Sequence, residues 1–521
     1  MNAFIQRFSQ LVKGVISGFD RIVFKGSILP LSHAEGMTEF CRQRGILNKD
    51  YKNWVTARSS ALIEKVEAYA RRESGHGITH IPSLHTNKEA LARERQRTEG
   101  IQKGLVGVWS CQESGASFKA HFCAERGFPQ LRYYPTHCKH LYLYLDHPAF
   151  GFMNIRLQTW CPYHIQICMN GREWLRRRLD HAKVGFERSG NKFLHIADFD
   201  RAQTFLDRQL DADWPTLLRG LVPLAFPTMK QTVGEHLSYY WTLWQSEWAT
   251  DLIFPQPRDA ESLMDRLLRH AVITGTADRV LRYLGRQVTA TGQPHPRFSG
   301  QVNTRVASFH DGVRVRHWVD QNSVKAYNEC NVLRFETTIN NPRAFHVWRR
   351  AQGQSSRARK SLRPLRKGVA DIPLRAKVSQ ETNDRFMNQM ATLHDDRPVG
   401  DLLATVTRRH IRNGRAIRAL DPTGKDRDLL QAIADPLFAV SGMTNAKLRQ
   451  KLRDTAWTVQ RTERQLVARV TRHLRLLREH GLIRKTPRRR NYHLTEKGRL
   501  ITAALTAMLA ASTQKLVKDA A

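Results

Sequence analysis

Two phosphate-cradling motifs are missing from this chain of 521 residues. There is no GxxxxGK(S/T) and no GxGxxG, so nothing signals an ATP-driven motor or a dinucleotide fold. Acidic residues are scarce, with 47 Asp and Glu against 84 Lys and Arg, a net charge of +37. Such a surplus repels itself until a polyanion balances it. That argues against an ordinary metabolic enzyme and for nucleic acid as the partner. Cysteine is sparse, with seven residues spread from Cys41 to Cys330. The odd count and wide spacing speak against a disulfide framework and for reduced thiols in the cytosol. No run of about 18 uncharged apolar residues is present, so no transmembrane helix is expected. The opening MNAFIQRFSQLVKGVISGF has no long apolar core and no small-residue cleavage site, unlike a signal peptide. The basic residues are not gathered beside one membrane anchor. The expectation is a cytoplasmic, nucleoid-associated protein without a membrane partner. No internal repeat appears at a period of about 20–50 residues.

What is present is enough apolar side chain for several cores, at 41% hydrophobic and 9% aromatic. At roughly 150 residues each, the length suggests three or four domains. Residues 1–125 read as an N-terminal α/β region, with Ile22-Val23-Phe24 as a short strand and helices over 54–72 and 88–104. Residues 126–342 read as a mixed α+β core. LYLYLDHP, FMNIRLQTW and YHIQICMNG read as three strands, punctuated by His147-Pro148 and Cys161-Pro162. Alternation puts Ile155 and Leu157 on one face and Arg156 and Gln158 on a wetter one. REWLRRRLDHA starts a helix after Asn170-Gly171. Residues 200–290 read as mainly helical, with YYWTLWQSEWATDLIF as core. VRVRHWVD and NVLRFETTIN form a second β block, ended by Asn340-Asn341-Pro342.

Residues 343–375 read as an exposed basic linker, because Arg343 to Lys367 holds no acidic residue. Arg357, Arg359 and Lys360 are its candidate DNA contacts. Residues 376–425 read as a connecting region and 426–521 as a DNA-binding domain. There, Asp426 to Ala434 is a helix ended by Pro436. Ser441-Gly442-Met443 is a turn, and Thr444 caps a helix through Leu452. A longer helix runs from Thr462 to His480, closed by Gly481. Leu466, Val467, Val470, Leu474 and Leu477 form its apolar stripe. Arg461, Arg464, Arg469, Arg472 and Arg475 take the opposite face. Two short strands, Leu482 to Lys485 and Asn491 to Leu494, flank a Pro-Arg-Arg-Arg tip. Arg484, Lys485, Arg488, Arg489 and Arg490 are the basic residues of that hairpin. Thr495 caps a last helix.

The run LRLLREHGLIRKTPRRRNYHLTEKG resembles the recognition helix and wing of winged-helix regulators of the MarR and ArsR type. The resemblance implies a helix in the major groove of double-stranded DNA and wing arginines against phosphate or the minor groove. Such arginines make affinity fall with salt, and only those at base edges select sequence.

Upstream, Lys325-x-Tyr327 is followed by Arg334-x-Glu336. This pair is similar to strands in rolling-circle replication initiators of plasmids and filamentous phages. The resemblance implies Tyr327 as a nucleophile on a DNA phosphodiester, helped by a divalent metal. The family's His-hydrophobic-His metal pair is absent. His137-x-x-His140 has the wrong spacing, and His310 and His317 are seven apart. A reading without chemistry has Lys325 and Tyr327 pack or pair on a sheet and Arg334 and Glu336 form a same-face ion pair. Another route to chemistry is a carboxylate site holding Mg²⁺ or Mn²⁺, for which Asp20, Asp146 and Glu336 are the best-placed residues. No residue is assigned as a fixed metal ligand. His137-Cys138-Lys139-His140 with Cys123 or Cys161 matches no common zinc spacing.

The sequence therefore predicts a multidomain α+β protein with a sheet-containing N-terminal core, helical insertions and a C-terminal winged helix-turn-helix. Its expected function is DNA binding in a mobile-element, phage or plasmid setting. Metal-dependent nicking or strand transfer is the enzymatic version, and a homodimer is one assembly. The alternatives are a non-enzymatic transcriptional regulator and an RNA-binding protein, the latter because Trp and Tyr with basic charge suit single strands.

Overall fold

The computed structural model describes residues 2–510 apart from 126, 275–276, 287–297, 299, 310–311, 352, 356, 391–397, 413, 436–437, 439–442, 454, 456–461 and 486–490. The architecture is mixed α/β around one large sheet.

Eleven strands among the described residues build that sheet. In chain order they are β1 (Gly14–Ser27), β2 (Thr79–His80), β3 (Gly104–Gly115), β4 (Thr136–His147), β5 (Gly151–Gln158) and β6 (Ile165–Asn170), followed by β7 (Tyr240–Ile253), β8 (Val302–Phe309), β9 (Gly312–Val319), β10 (Asn322–Glu329) and β11 (Val332–Ile339). Their spatial order is β8-β9-β10-β11-β7-β1-β6-β5-β4-β3-β2. Neighbours run antiparallel, except that β2 lies parallel to β3 at the edge.

The period of two sorts the side chains onto two faces. Ile155, Leu157, Ile165, Ile167, Leu333 and Phe335 are all buried on one of them. Helices cover this apolar face. Residues 51–74 contribute Val55, Leu62 and Val66, and residues 257–274 contribute Leu263, Met264 and Leu267. The opposite face is polar along β10, β11, β7, β1, β6 and β5, and among the described residues carries two small apolar caps. One joins Ile16 and Ile253 to Leu175, Leu179 and Leu206 of the helices Gly171–His181 and Phe199–Leu210. The other gathers Ala92, Trp109, Tyr144 and Phe152.

The aromatic run YYWTLWQSEWATDLIF corrects the sequence reading. It forms β7, a 14-residue strand pairing with β1 and β11 near the middle of the sheet, and not a helix. Its core assignment holds for Trp241, Leu243 and Trp248, whereas Tyr240 and Trp244 are exposed. The surrounding residues are helical as expected. Ile22-Val23-Phe24 lies within a strand of 14 residues, far longer than the expected fragment.

The basic segment after β11 is in part a hairpin. His346–Arg349 pairs with Ser361–Pro364, and Leu365 is buried. The helix Ile372–Met390 then returns to the sheet. There buried Arg375 donates to the backbone oxygens of Ile339 (3.1 Å) and Leu243 (3.0 Å).

Residues 399–510 carry a separate core of Leu429, Leu430, Leu448, Val470, Leu474, Leu477, Ile501 and others. Its elements are helices Val399–Thr407, Arg427–Ile433, Asn445–Leu452, Glu463–Glu479 and Glu496–Ala510, with a hairpin of Ile483–Lys485 and Tyr492–Leu494. Met443 joins the hairpin through an isolated bridge to Tyr492. Local chemistry sets the boundaries. Thr444 caps the third of these helices, Asn445–Leu452, and Thr462 with Gln465 forms a capping box on the long one. Gly481 stands at φ +72°, a left-handed cap, while the Leu482 amide bonds the Leu477 oxygen at 2.9 Å.

Candidate functional site

The polar face gathers its charges where β11, β7 and β1 run side by side. Register places Arg334 opposite Asp251 and opposite Tyr327, and Lys325 opposite Glu336. A bulge in β1 between Phe19 and Arg21 leaves Asp20 out of the ladder, free to turn toward β11. Residues far apart in sequence thus meet in one cluster.

Arg334 is its centre and is 1% exposed. Its guanidinium grips Asp251 with two bonds of 2.5 and 2.9 Å and donates to Asp20 at 2.9 Å and to the Asn191 oxygen at 3.1 Å. Arg172, fully buried, reaches Asp251 at 2.9 Å and the Ala249 oxygen at 3.1 Å. Asn191 donates to Asp20 at 2.5 Å. On the neighbouring strands Glu336 accepts from Lys325 at 2.6 Å and from the Tyr327 hydroxyl at 3.0 Å. Burial pushes the Asp251 carboxyl up, but Arg172 and Arg334 outweigh it and hold it below the usual carboxylate range. Glu247 goes the other way. Burial raises it, and repulsion from Glu336 adds to that. Burial also lifts the Tyr327 phenol well above its ordinary range, opposed by Arg334 and assisted by Glu336.

The cluster opens onto a cleft of roughly 560 Å³. Asp20, Arg21, Glu247, Cys168 and Asn170 form its sheet side, and Arg93, Arg188 and Asn191 its walls. The Arg93 guanidinium lies 3.7 Å from the Phe152 ring centroid, a cation–π contact that fixes one wall. Gly171 keeps the Arg172 helix close to β1. A Cβ there would stand 2.0 Å from the Phe19 oxygen. Gly171→Ala is therefore expected to lower unfolding stability by about 1–3 kcal/mol, as overpacking does, read from the midpoint of a denaturant melt.

Three of the four candidate catalytic residues come together here: Asp20, Glu336 and Tyr327. Asp146 does not. It sits at the end of β4, paired with Arg177 and with Gln96 at 3.0 Å. Arg334 and Glu336 do not pair with each other, since each binds partners on other strands. Arg172, Glu247 and Asp251 were not singled out from sequence. The signal that marks two of them is a pair of acids, four apart, inside an otherwise apolar aromatic run.

The cluster does not fit Mg²⁺ or Mn²⁺. Its carboxylates already hold two guanidinium groups and an ammonium, which a divalent cation would have to displace. Among the described residues no three His, Cys, Asp or Glu side chains are placed to hold a metal ion. Cys138 and Cys161 of the unmatched zinc spacing are free and buried.

In the C-terminal unit Arg464, Arg472 and Arg475 are exposed on the long helix, opposite buried Val470, Leu474 and Leu477. Arg469 is half-buried at the edge of that ridge. Val467, expected in the apolar stripe, is 39% exposed. Arg484 and Lys485 project from the hairpin, and Arg357, Arg359 and Lys360 are exposed near the tip of the earlier one. Arg461, Arg488, Arg489 and Arg490 lie outside the described residues, as do Ser441 and Gly442 of the expected turn. Among the described residues no helix is long and apolar enough to cross a membrane. No family model, no curated protein and no solved structure matches the chain.

Proposed function

We propose that this is a DNA-binding protein of the kind used by mobile elements, phages or plasmids, which reads duplex DNA through a C-terminal winged helix. One observation carries the reading. Residues 427–494 run helix, a single bridge at Met443, helix, long helix, hairpin, and the long helix turns Arg464, Arg472 and Arg475 outward. That order supports a winged helix, a module whose recognition helix lies in the major groove. The net charge of +37 supports the same partner. The test is equilibrium binding of the full chain to a short duplex across salt concentrations. Affinity that falls steeply with salt and is lost on removal of the exposed arginines of the long helix supports the reading, and no duplex binding at low salt removes it.

A second reading, strand transfer, is favoured by the Tyr327 hydroxyl donating to Glu336 at 3.0 Å. A nucleophile within reach of a base is the arrangement that covalent catalysis needs. On this reading the Tyr327 oxygen bonds to a backbone phosphorus while Glu336 takes the phenolic proton. The bond from phosphorus to the leaving sugar oxygen breaks, and that oxygen receives the proton. Wild-type protein incubated with labelled single-stranded DNA is expected to give a covalent adduct that survives denaturing gels, and Tyr327→Phe none. Wild type without an adduct removes the strand-transfer reading and leaves the DNA-binding reading standing.

A further inference from the structure

The same strands carry a second, smaller pocket on the polar face, outside the charge cluster. From Arg21 to Lys25 on β1 is four residues, or about 14 Å at the rise of a strand. The pocket encloses roughly 180 Å³ between Lys25, His140, Arg156, His164 and Gln166. Among the described residues no carboxylate lines it.

Its charge is unbalanced. Arg156 is tied to Glu113 at 2.5 Å and to the Tyr142 oxygen at 3.0 Å. Lys25 has no carboxylate partner among the described residues, and its ammonium lies 5.0 Å from the Trp244 ring centroid. Lys367 approaches the same ring at 4.1 Å. Burial lowers the Lys25 pKa, and repulsion from Lys367 and Arg156 lowers it further. Burial takes His164 down to about 4, with Lys25 and Arg156 adding to the fall. His140 is also taken to about 4, by burial and then Arg156. Lys25, the Glu113-paired Arg156 and two neutral imidazoles thus converge on a space large enough for a tetrahedral oxyanion, and a bound anion would supply the partner that Lys25 lacks. On the adjoining β7, Trp244, with Lys25 and Lys367 against its ring, and Tyr240, opposite Ser27, are 40% and 50% exposed.

We infer that this pocket is a phosphate subsite for a single nucleic-acid strand lying across the polar face of the sheet, with Trp244 and Tyr240 as stacking surfaces for its bases. The inference rests on the nucleic-acid reading above, but uses a different surface from the C-terminal module.

The probe is a single-stranded homothymidine oligonucleotide, titrated into the full chain by fluorescence anisotropy. Lys25→Gln is expected to weaken binding about tenfold and to reduce the log–log salt slope by about 0.7, the value of one lost contact on a single strand. Trp244→Leu is expected to weaken it by about fivefold or more. Lys25→Arg restores most of the Lys25 loss, which a folding defect would not allow. If Lys25→Gln and Trp244→Leu both bind the strand as wild type does, the subsite is overturned. In that event duplex binding that still depends on Arg472 and Arg475 leaves the winged-helix reading standing. If wild type binds neither form, both fall.

Discussion

The double variant Arg472→Ala/Arg475→Ala is expected to bind duplex DNA about 30-fold more weakly than wild type, or weaker still, at fixed salt. Each arginine that reaches a base edge carries about 1–3 kcal/mol, and 1.4 kcal/mol is a factor of ten. Both side chains are exposed on the long helix. At about 100° per residue they point away from Val470, Leu474 and Leu477, which hold the helix to its core. Alanine keeps the helix, because its propensity exceeds that of arginine. The Thr462 capping box and the Gly481 cap also remain. A loss of affinity would therefore report contact with DNA rather than unfolding, and an unchanged thermal melt is the control. A change under about threefold, less than 1 kcal/mol, would remove these residues from the interface.

Arg334→Met should cost about 3–5 kcal/mol of unfolding stability, the usual penalty for removing one partner of a buried ion pair. Methionine fills much of the volume but leaves Asp251 with Arg172 as its remaining guanidinium partner and strips a donor from Asp20. Three neighbouring strands meet at this point, so the loss is expected across the sheet and not at one loop. The wild-type cluster also makes stability acid-sensitive. The folded-state pKa of Asp251 is depressed, so its contribution is fully present above the unfolded value of about 4 and is lost as pH falls through the folded value. Chemical denaturation of variant and wild type at neutral pH checks the first claim. A difference below about 1 kcal/mol would mean that the network is not structurally coupled.

The strands of 136–170 and 302–339 were legible because their alternation has only one period that fits. The C-terminal helices were legible because Thr444, Thr462 and Gly481 mark their ends chemically. β7 was not. Its Glu247 and Asp251 are four apart, a spacing that falls on one face of a strand and nearly on one face of a helix. Dense tryptophan and leucine then suit either reading as core. Arg172 was hidden differently. A helix start after Asn-Gly reads as solvated, and nothing local shows that Gly171 lets it press against β1. Asp20 and Glu336 were chosen as strand-borne carboxylates and do lie in one cluster, because β7 bridges their strands. Asp146 was chosen by the same rule and lies elsewhere, since strand position says nothing about sheet order.

The most direct measurement is the slope of log K against log salt for duplex binding, taken for wild type and for Arg472→Ala/Arg475→Ala. Net charge alone attracts DNA, so the wild-type slope by itself does not locate the contact. The difference does. Each phosphate contact contributes about −0.9, so a steep wild-type slope is expected, made shallower in the variant by about 0.9 for each of the two arginines that sits on phosphate rather than at a base edge. Equal slopes and equal affinities in the two proteins would contradict contact through this helix.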